Sequence, residues 1–156
     1  MSWRRRPKRE AVLVAVPEVP ARVRRHAFTV PTGRGAVRTA GQETAAVLAA
    51  FGVTPGTSFM DAVLLVVSEL VANVVRHAAD CTPMVEITLT VRRRLLVIDV
   101  ADRHPDLPRV TPETAGEGLL TVLEVAAEYG GSLGVDPAPH GGGKTMRVQL
   151  MLPGVR

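Results

Sequence analysis

Residues 58–79 read SFMDAVLLVVSELVANVVRHAA. From Leu64 onward nearly every side of a helix built from this stretch is apolar, so most of its circumference must be buried. Two residues break the pattern. Glu69 and Asn73 stand four apart in its middle and therefore share one face. An ionised carboxylate buried without a partner costs on the order of several kcal/mol, and Asn is a weak residue for a helix interior. Something must meet that face. Glu is the right type to take a proton from an attacking hydroxyl, and an Asn carbonyl oxygen is a hard ligand suited to Mg²⁺. A structural polar pair bonded to a neighbouring loop or strand accounts for the same pattern, and the helix alone leaves both readings open. Asp61 in its first turns and Arg76 and His77 in its last complement the helix dipole.

Working outward, spaced apolar residues predict a helix over Ala36–Phe51, stopped by Gly52, with Thr54-Pro55-Gly56-Thr57 as the connecting turn. Ahead of it, HAFTV at His26–Val30 alternates as an edge strand ended by Pro31. Behind the long helix, Met84–Val91 alternates, Arg92-Arg93-Arg94 supplies a hairpin turn, and Leu95–Ala101 (LLVIDVA) is apolar enough for a buried strand. Asp102 to Gly116 contains Pro105, Pro108 and Pro112 without periodicity and reads as a long loop, a common form of functional lid. Glu117–Tyr129 is helical, and Gly130-Gly131 ends it. Ser132–Val135, a turn at His140–Gly143, and Lys144–Leu152 (KTMRVQLML) complete the chain as two strands. This order predicts an α/β (α+β) two-layer sandwich, a mixed but mostly antiparallel sheet with helices on one face.

The 156 residues fit one domain, and 46% of them are hydrophobic, which excludes general disorder. Residues 1–25 hold eight basic and two acidic residues, whereas the remainder holds eleven basic and thirteen acidic. The net charge of +4 thus belongs to a basic tail at 1–25, with a short strand candidate at Ala11–Val16, and the domain proper runs over 26–153. A mildly acidic body with few aromatics lacks the basic face and stacking platform of a nucleic-acid binder. The single cysteine, Cys81, forms no internal disulfide. No uninterrupted apolar run is long enough to span a bilayer, and the segment at Ala11–Val16 is too short for a signal peptide. These features lead us to expect a cytoplasmic protein without a membrane partner.

Two further places carry chemistry. LLVIDVA delivers Asp102 to a strand end, where Asp is ordinarily turn chemistry but can also serve as a lone acceptor at the base of a pocket. Asp99, three residues earlier, falls on the other sheet face and reads as structural. Gly116-Glu117-Gly118 directly precedes a helix, where glycines let the backbone approach an anion and free N–H groups point at it, although the same turn is common for steric reasons. Lys144, beside three glycines, can reach a phosphate but reads more readily as a solvated side chain, and His77 reads as a helix-end group. His26, His104, His140 and Cys81 show no metal-ligand spacing.

Taken in order, Ser68-Glu69-Leu70-Val71-Ala72-Asn73-Val74-Val75-Arg76-His77-Ala78 closely resembles the asparagine-box helix of the GHKL family, shared by DNA gyrase, the heat-shock chaperone of ninety kilodaltons and histidine kinases. Its E-L-x-x-N-x-x-x-H-A form is most similar to anti-sigma-factor serine/threonine kinases. Asp102 falls where that family has its adenine-binding aspartate, Gly116-Glu117-Gly118-Leu119 matches the second glycine box, and Gly143-Lys144-Thr145 matches the closing segment. The resemblance covers roughly His26 to Pro153.

It implies ATP held between helices and sheet, with Glu69 as general base and Asn73 holding Mg²⁺ against the phosphates. It likewise implies that Asp102 accepts from the adenine amine, that Gly116, Gly118 and Leu119 embrace the phosphates, and that Thr145 supports the base. At the position of His77 the family pattern has a basic or polar group near phosphate. The partners implied are an anti-anti-sigma factor, a sigma factor, or both, with a homodimer paired through the edge strand. One departure stands out: where the family reads D-x-G-x-G, this chain reads Asp102-Arg103-His104-Pro105-Asp106, with neither glycine. A bulky His104 crowds the base subsite and prolines stiffen the lid. The alternative function is therefore a non-catalytic partner-binding module with a degenerate nucleotide site.

Overall fold

The computed structural model describes residues 22–108 and 110–154. The basic tail and the strand candidate at Ala11–Val16 lie outside those residues, except for the tail's last four positions. Three of these, Val23–Arg25, belong to the first strand, β1 (Val23–Pro31), which begins three residues before the alternation in HAFTV. There follow α1 (Ala36–Ala50), α2 (Ser58–His77), β2 (Met84–Arg92), β3 (Leu95–Asp102), α3 (Glu117–Glu128), β4 (Ser132–Pro137) and β5 (Lys144–Met151).

The strands form one sheet in the order β1-β2-β3-β5-β4, with β1 at one edge as its sequence predicts. Every pairing is antiparallel, so the sheet is not mixed. The reason lies in the connections. β2 and β3 are joined by a two-residue turn at Arg93-Arg94, and β4 and β5 by the glycine-rich turn after Pro137; neither is long enough for a parallel crossover.

One face of the sheet carries the core. Val85, Ile87, Leu89, Leu96, Ile98, Val100, Met146, Val148 and Leu150 alternate with residues on the outer face and are fully buried. Against them pack Leu48 of α1, Val63, Val66, Val67, Leu70 and Val71 of α2, and Val122 of α3. On the outer face Arg147 bridges Asp99 at 2.8 Å and Asp136 at 3.0 Å, which confirms Asp99 as a structural carboxylate. The hydrogen bond and charge of Asp99 raise the Arg147 pKa further above its ordinary value.

α2 starts cleanly because the Thr57 hydroxyl accepts a hydrogen bond from the Met60 amide at 3.2 Å. Among the described residues it is the one helix long and apolar enough to cross a membrane, and eight of its side chains are spent on this core. Its polar stripe from Glu69 to His77 faces a cleft.

Candidate functional site

The cleft, with a volume of about 1000 Å³, lies between α2, the segment that follows β3, the N-terminus of α3 and the start of β5. Its α2 wall is Glu69, Asn73, Arg76 and His77. The spacing of four, three and one residues keeps all four on one side of a 3.6-residue helix. The sequence leaves open a structural polar pair or a site face, and here the two residues line the cleft. Glu69 and Asn73 are only half-buried, they open onto the cleft, and neither side chain has a hydrogen bond among the described residues. Glu69 keeps part of its contact with solvent, and both groups remain available to a ligand.

Opposite stands the N-terminus of α3. Gly116 is its N-cap with extended backbone, and no side chain caps it among the described residues. The N–H groups of a first helical turn have no partner within the helix and carry the positive end of its dipole. Gly116, Gly118 and Leu119 all line the cleft. Gly118 has a second role that the sequence did not disclose. A Cβ placed there would overlap the Glu69 carboxylate oxygen Oε2 and meet the Arg76 guanidinium at 3.4 Å. The missing side chain lets α2 and α3 close with Glu69 and Arg76 between them.

The inner end of the cleft is built differently from what the sequence predicts. Asp102 is the last residue of β3 and sits directly opposite Lys144, the first residue of β5. Lys144 Nζ donates to Asp102 Oδ1 at 3.0 Å, and the two side chains are 7% and 1% exposed. Lys144 is therefore not solvated: it lines the cleft and covers Asp102, which does not itself reach the cleft wall. Thr145 is one residue further along, so the pleat sends it to the outer face beside Ala101 and Asp136. It is not part of the cleft. The signal was present in KTMRVQLML: the buried set Met146, Val148 and Leu150 is in phase with Lys144, not with Thr145.

The segment beyond Asp102 is stitched to it. The His104 amide donates to Asp102 Oδ1 at 2.8 Å, and the Asp106 amide donates to His104 Nδ1 at 3.1 Å. The second bond makes Nδ1 the unprotonated nitrogen and leaves Nε2 to carry the ring proton. His104 and Asp106 both line the cleft, so the imidazole occupies part of the space that a glycine would leave open.

Of the residues singled out from sequence, Glu69, Asn73, Gly116, Gly118 and Leu119 come together around one cavity, Asp102 lies beneath its inner end, and Thr145 is elsewhere. Arg76 is a cleft residue that the sequence shows only as a helix-end charge, and Lys144 lines the cleft while bonded to Asp102. Four carboxylates (Glu69, Asp106, Glu117 and Glu124) line the cleft against the cations Arg76 and Lys144. The donor set at the outer end suits a polyphosphate: amides at a helix N-terminus, a guanidinium and an imidazole. The surplus of carboxylates favours a phosphate group that arrives with a divalent cation, for which the Asn73 carbonyl is a fitting ligand.

The family model of the histidine kinase-like ATPase domain matches residues 30–135, from the last two residues of β1 into β4, and takes in the α2 and α3 walls of this cleft. The chain belongs to that family, and its antiparallel sheet with helices on one face is the corresponding fold. It is a GHKL-type ATPase domain, and membership in that family implies ATP binding. No curated protein matches the chain.

Proposed function

We propose that this chain is a cytoplasmic ATP-binding regulator of the anti-sigma-factor serine/threonine kinase type. It binds Mg-ATP and acts on a regulatory partner of bacterial transcription, an anti-anti-sigma factor or a sigma factor, by phosphorylating or sequestering it. The observation that carries the reading is the juxtaposition of the Glu69 carboxylate, unpaired among the described residues, with the N-terminus of α3, which no described side chain caps, across a gap that Gly118 leaves open.

In this reading the first-turn amides of α3 and the Arg76 guanidinium hold the phosphates, and Asn73 holds Mg²⁺. The ion, when bound, neutralises charge on the phosphoryl oxygens. Glu69 accepts the proton of a partner serine hydroxyl as its oxygen attacks the terminal phosphorus; the bond to the bridging oxygen breaks and ADP leaves. Positioning and charge neutralisation do most of the work in such transfers. Leu107 and Leu120, both exposed at the cleft rim, offer apolar contacts to an incoming segment of the partner. The test is incubation with γ-labelled ATP, Mg²⁺ and candidate anti-anti-sigma proteins. Serine labelling that disappears with Glu69→Ala supports the kinase, whereas no labelling of any candidate sinks it.

A second reading is favoured by the changed inner end, where Lys144 covers Asp102 and His104 replaces a glycine. A non-catalytic module sequesters its partner with nucleotide as a structural ligand at most. Partner regulation in cells that survives Glu69→Ala selects this reading over the first.

A further inference from the structure

The ion pair at the inner end of the cleft bears on which base the cleft accepts, and the inference rests on the nucleotide-binding reading above. Asp102 and Lys144 face each other across the β3–β5 ladder on its core side, 3.0 Å apart through Nζ and Oδ1. Oδ1 is already committed twice, to Lys144 Nζ and to the His104 amide. The carboxylate is 1% exposed, and it is Lys144, not Asp102, that forms the cleft wall. An ammonium has three N–H donors and no acceptor. Among the described residues Lys144 spends one of them, on Asp102. Two donors therefore remain on a side chain more than nine-tenths buried that lines a cavity of nucleotide size.

We propose that Lys144 sets the base selectivity of this cleft by presenting a hydrogen-bond donor where a bare aspartate would present an acceptor. Adenine carries an exocyclic amine, a donor, where guanine carries the O6 carbonyl, an acceptor. An amine pushed toward the ammonium sets donor against donor and like partial charge against charge. A carbonyl meets the same ammonium in a charge-assisted hydrogen bond. Because the group is desolvated, the mismatch is not relieved by water, and discrimination by a buried polar group is steep. The lysine narrows the preference for adenine and raises the cleft's tolerance of a purine nucleotide with a carbonyl edge. It also gives Lys144 a reason to be buried that the fold alone does not supply, since an apolar residue at this strand start would extend the run of Met146, Val148 and Leu150.

The test is titration calorimetry of the full chain with ATP and with GTP, each with Mg²⁺, for wild type, Lys144→Thr and Lys144→Gln. Threonine exposes Asp102 to the cleft. Glutamine keeps a hydrogen bond to Asp102 at similar volume, and so remains folded should the lone carboxylate of the threonine variant destabilise the sheet. The expected result is that the ratio of ATP to GTP affinity rises at least tenfold in either variant. ATP binding gained only by the variants supports the proposal equally. A ratio that stays constant or moves toward GTP overturns it while leaving the nucleotide cleft intact. If neither nucleotide binds any of the three folded proteins at millimolar concentration, the nucleotide reading fails and this inference falls with it.

Discussion

Gly118 makes the room in which the Glu69 carboxylate sits: a methyl group at 118 would overlap Glu69 Oε2. The atom it meets is the tip of a flexible side chain, so Glu69 can swing aside. Gly118→Ala should therefore cost little fold stability. The helix gains roughly 1 kcal/mol from losing a glycine, which offsets part of the crowding, and urea unfolding should shift by less than about 1 kcal/mol. Phosphoryl transfer should fall as far as in Glu69→Ala, and the double variant should be no worse than either single one, because both remove the same carboxylate from the same place. Full activity in Gly118→Ala would show that the position of Glu69 is irrelevant.

Asn73 is half-buried on the cleft wall and has no side-chain partner among the described residues. Asn73→Ala should leave the fold as stable or raise stability by roughly half a kcal/mol, from helix propensity alone. Titration with ATP in the presence of Mg²⁺ should weaken at least tenfold, and titration in chelator should hardly change. Equal losses in the two conditions would remove the metal-ligand role.

Gly143 differs from Gly118 in what it faces. A Cβ at 143 would come within 2.5 Å of the Asp102 carbonyl oxygen, which is backbone and has nowhere to go. Gly143→Ala should cost about 1–3 kcal/mol, the usual range for overpacking a site that cannot relax. Because the clash sits at the β3–β5 ladder, it should also loosen the Asp102–Lys144 pair. Denaturant unfolding of the two alanine variants side by side checks the contrast, and a Gly143→Ala protein as stable as wild type would refute the packing described.

Thr44 of α1 is fully buried, and its hydroxyl has no hydrogen-bond partner among the described residues. Leaving a polar group unsatisfied in the interior costs about 1–3 kcal/mol, and valine has nearly the same shape without the hydroxyl. Thr44→Val should raise stability by about 1 kcal/mol in thermal or urea melts. A loss of stability would mean that the hydroxyl has a partner in solution.

The legible part of the fold was the part that obeys a period. α2 announced itself as a buried helix through its apolar circumference, and its one polar stripe announced the cleft. LLVIDVA gave a central strand in the same way. The shared face of Glu69 and Asn73 is legible from their spacing, but the choice between a structural pair and a cleft face is not, because spacing tells which residues share a side and not whether that side meets protein or water. Gly118 looked like a phosphate-loop glycine, and its steric service to Glu69 depends on how closely α3 approaches α2, which no local pattern encodes. For Lys144 the glycines on its N-terminal side favour the solvated reading, whereas the residues on its other side place it on the buried face.

That last point separates two readings of the closing strand. Motif order assigns the base-supporting role to Thr145, while the pleat of β5 places Lys144 on the cleft and Thr145 beside Asp136 on the opposite face. Side chains alternate with a period of two, so a shift of one residue exchanges the faces completely. Thr145→Val is the discriminating variant. Valine is isosteric with threonine and well suited to a strand, so the fold should be undisturbed. If the register is as described, nucleotide affinity should stay within twofold of wild type in the same calorimetric titration, whatever Lys144 does. A tenfold loss in Thr145→Val, with unchanged melting, would move the base-contacting position back to Thr145 and would require β5 to pair with β3 one residue out of register.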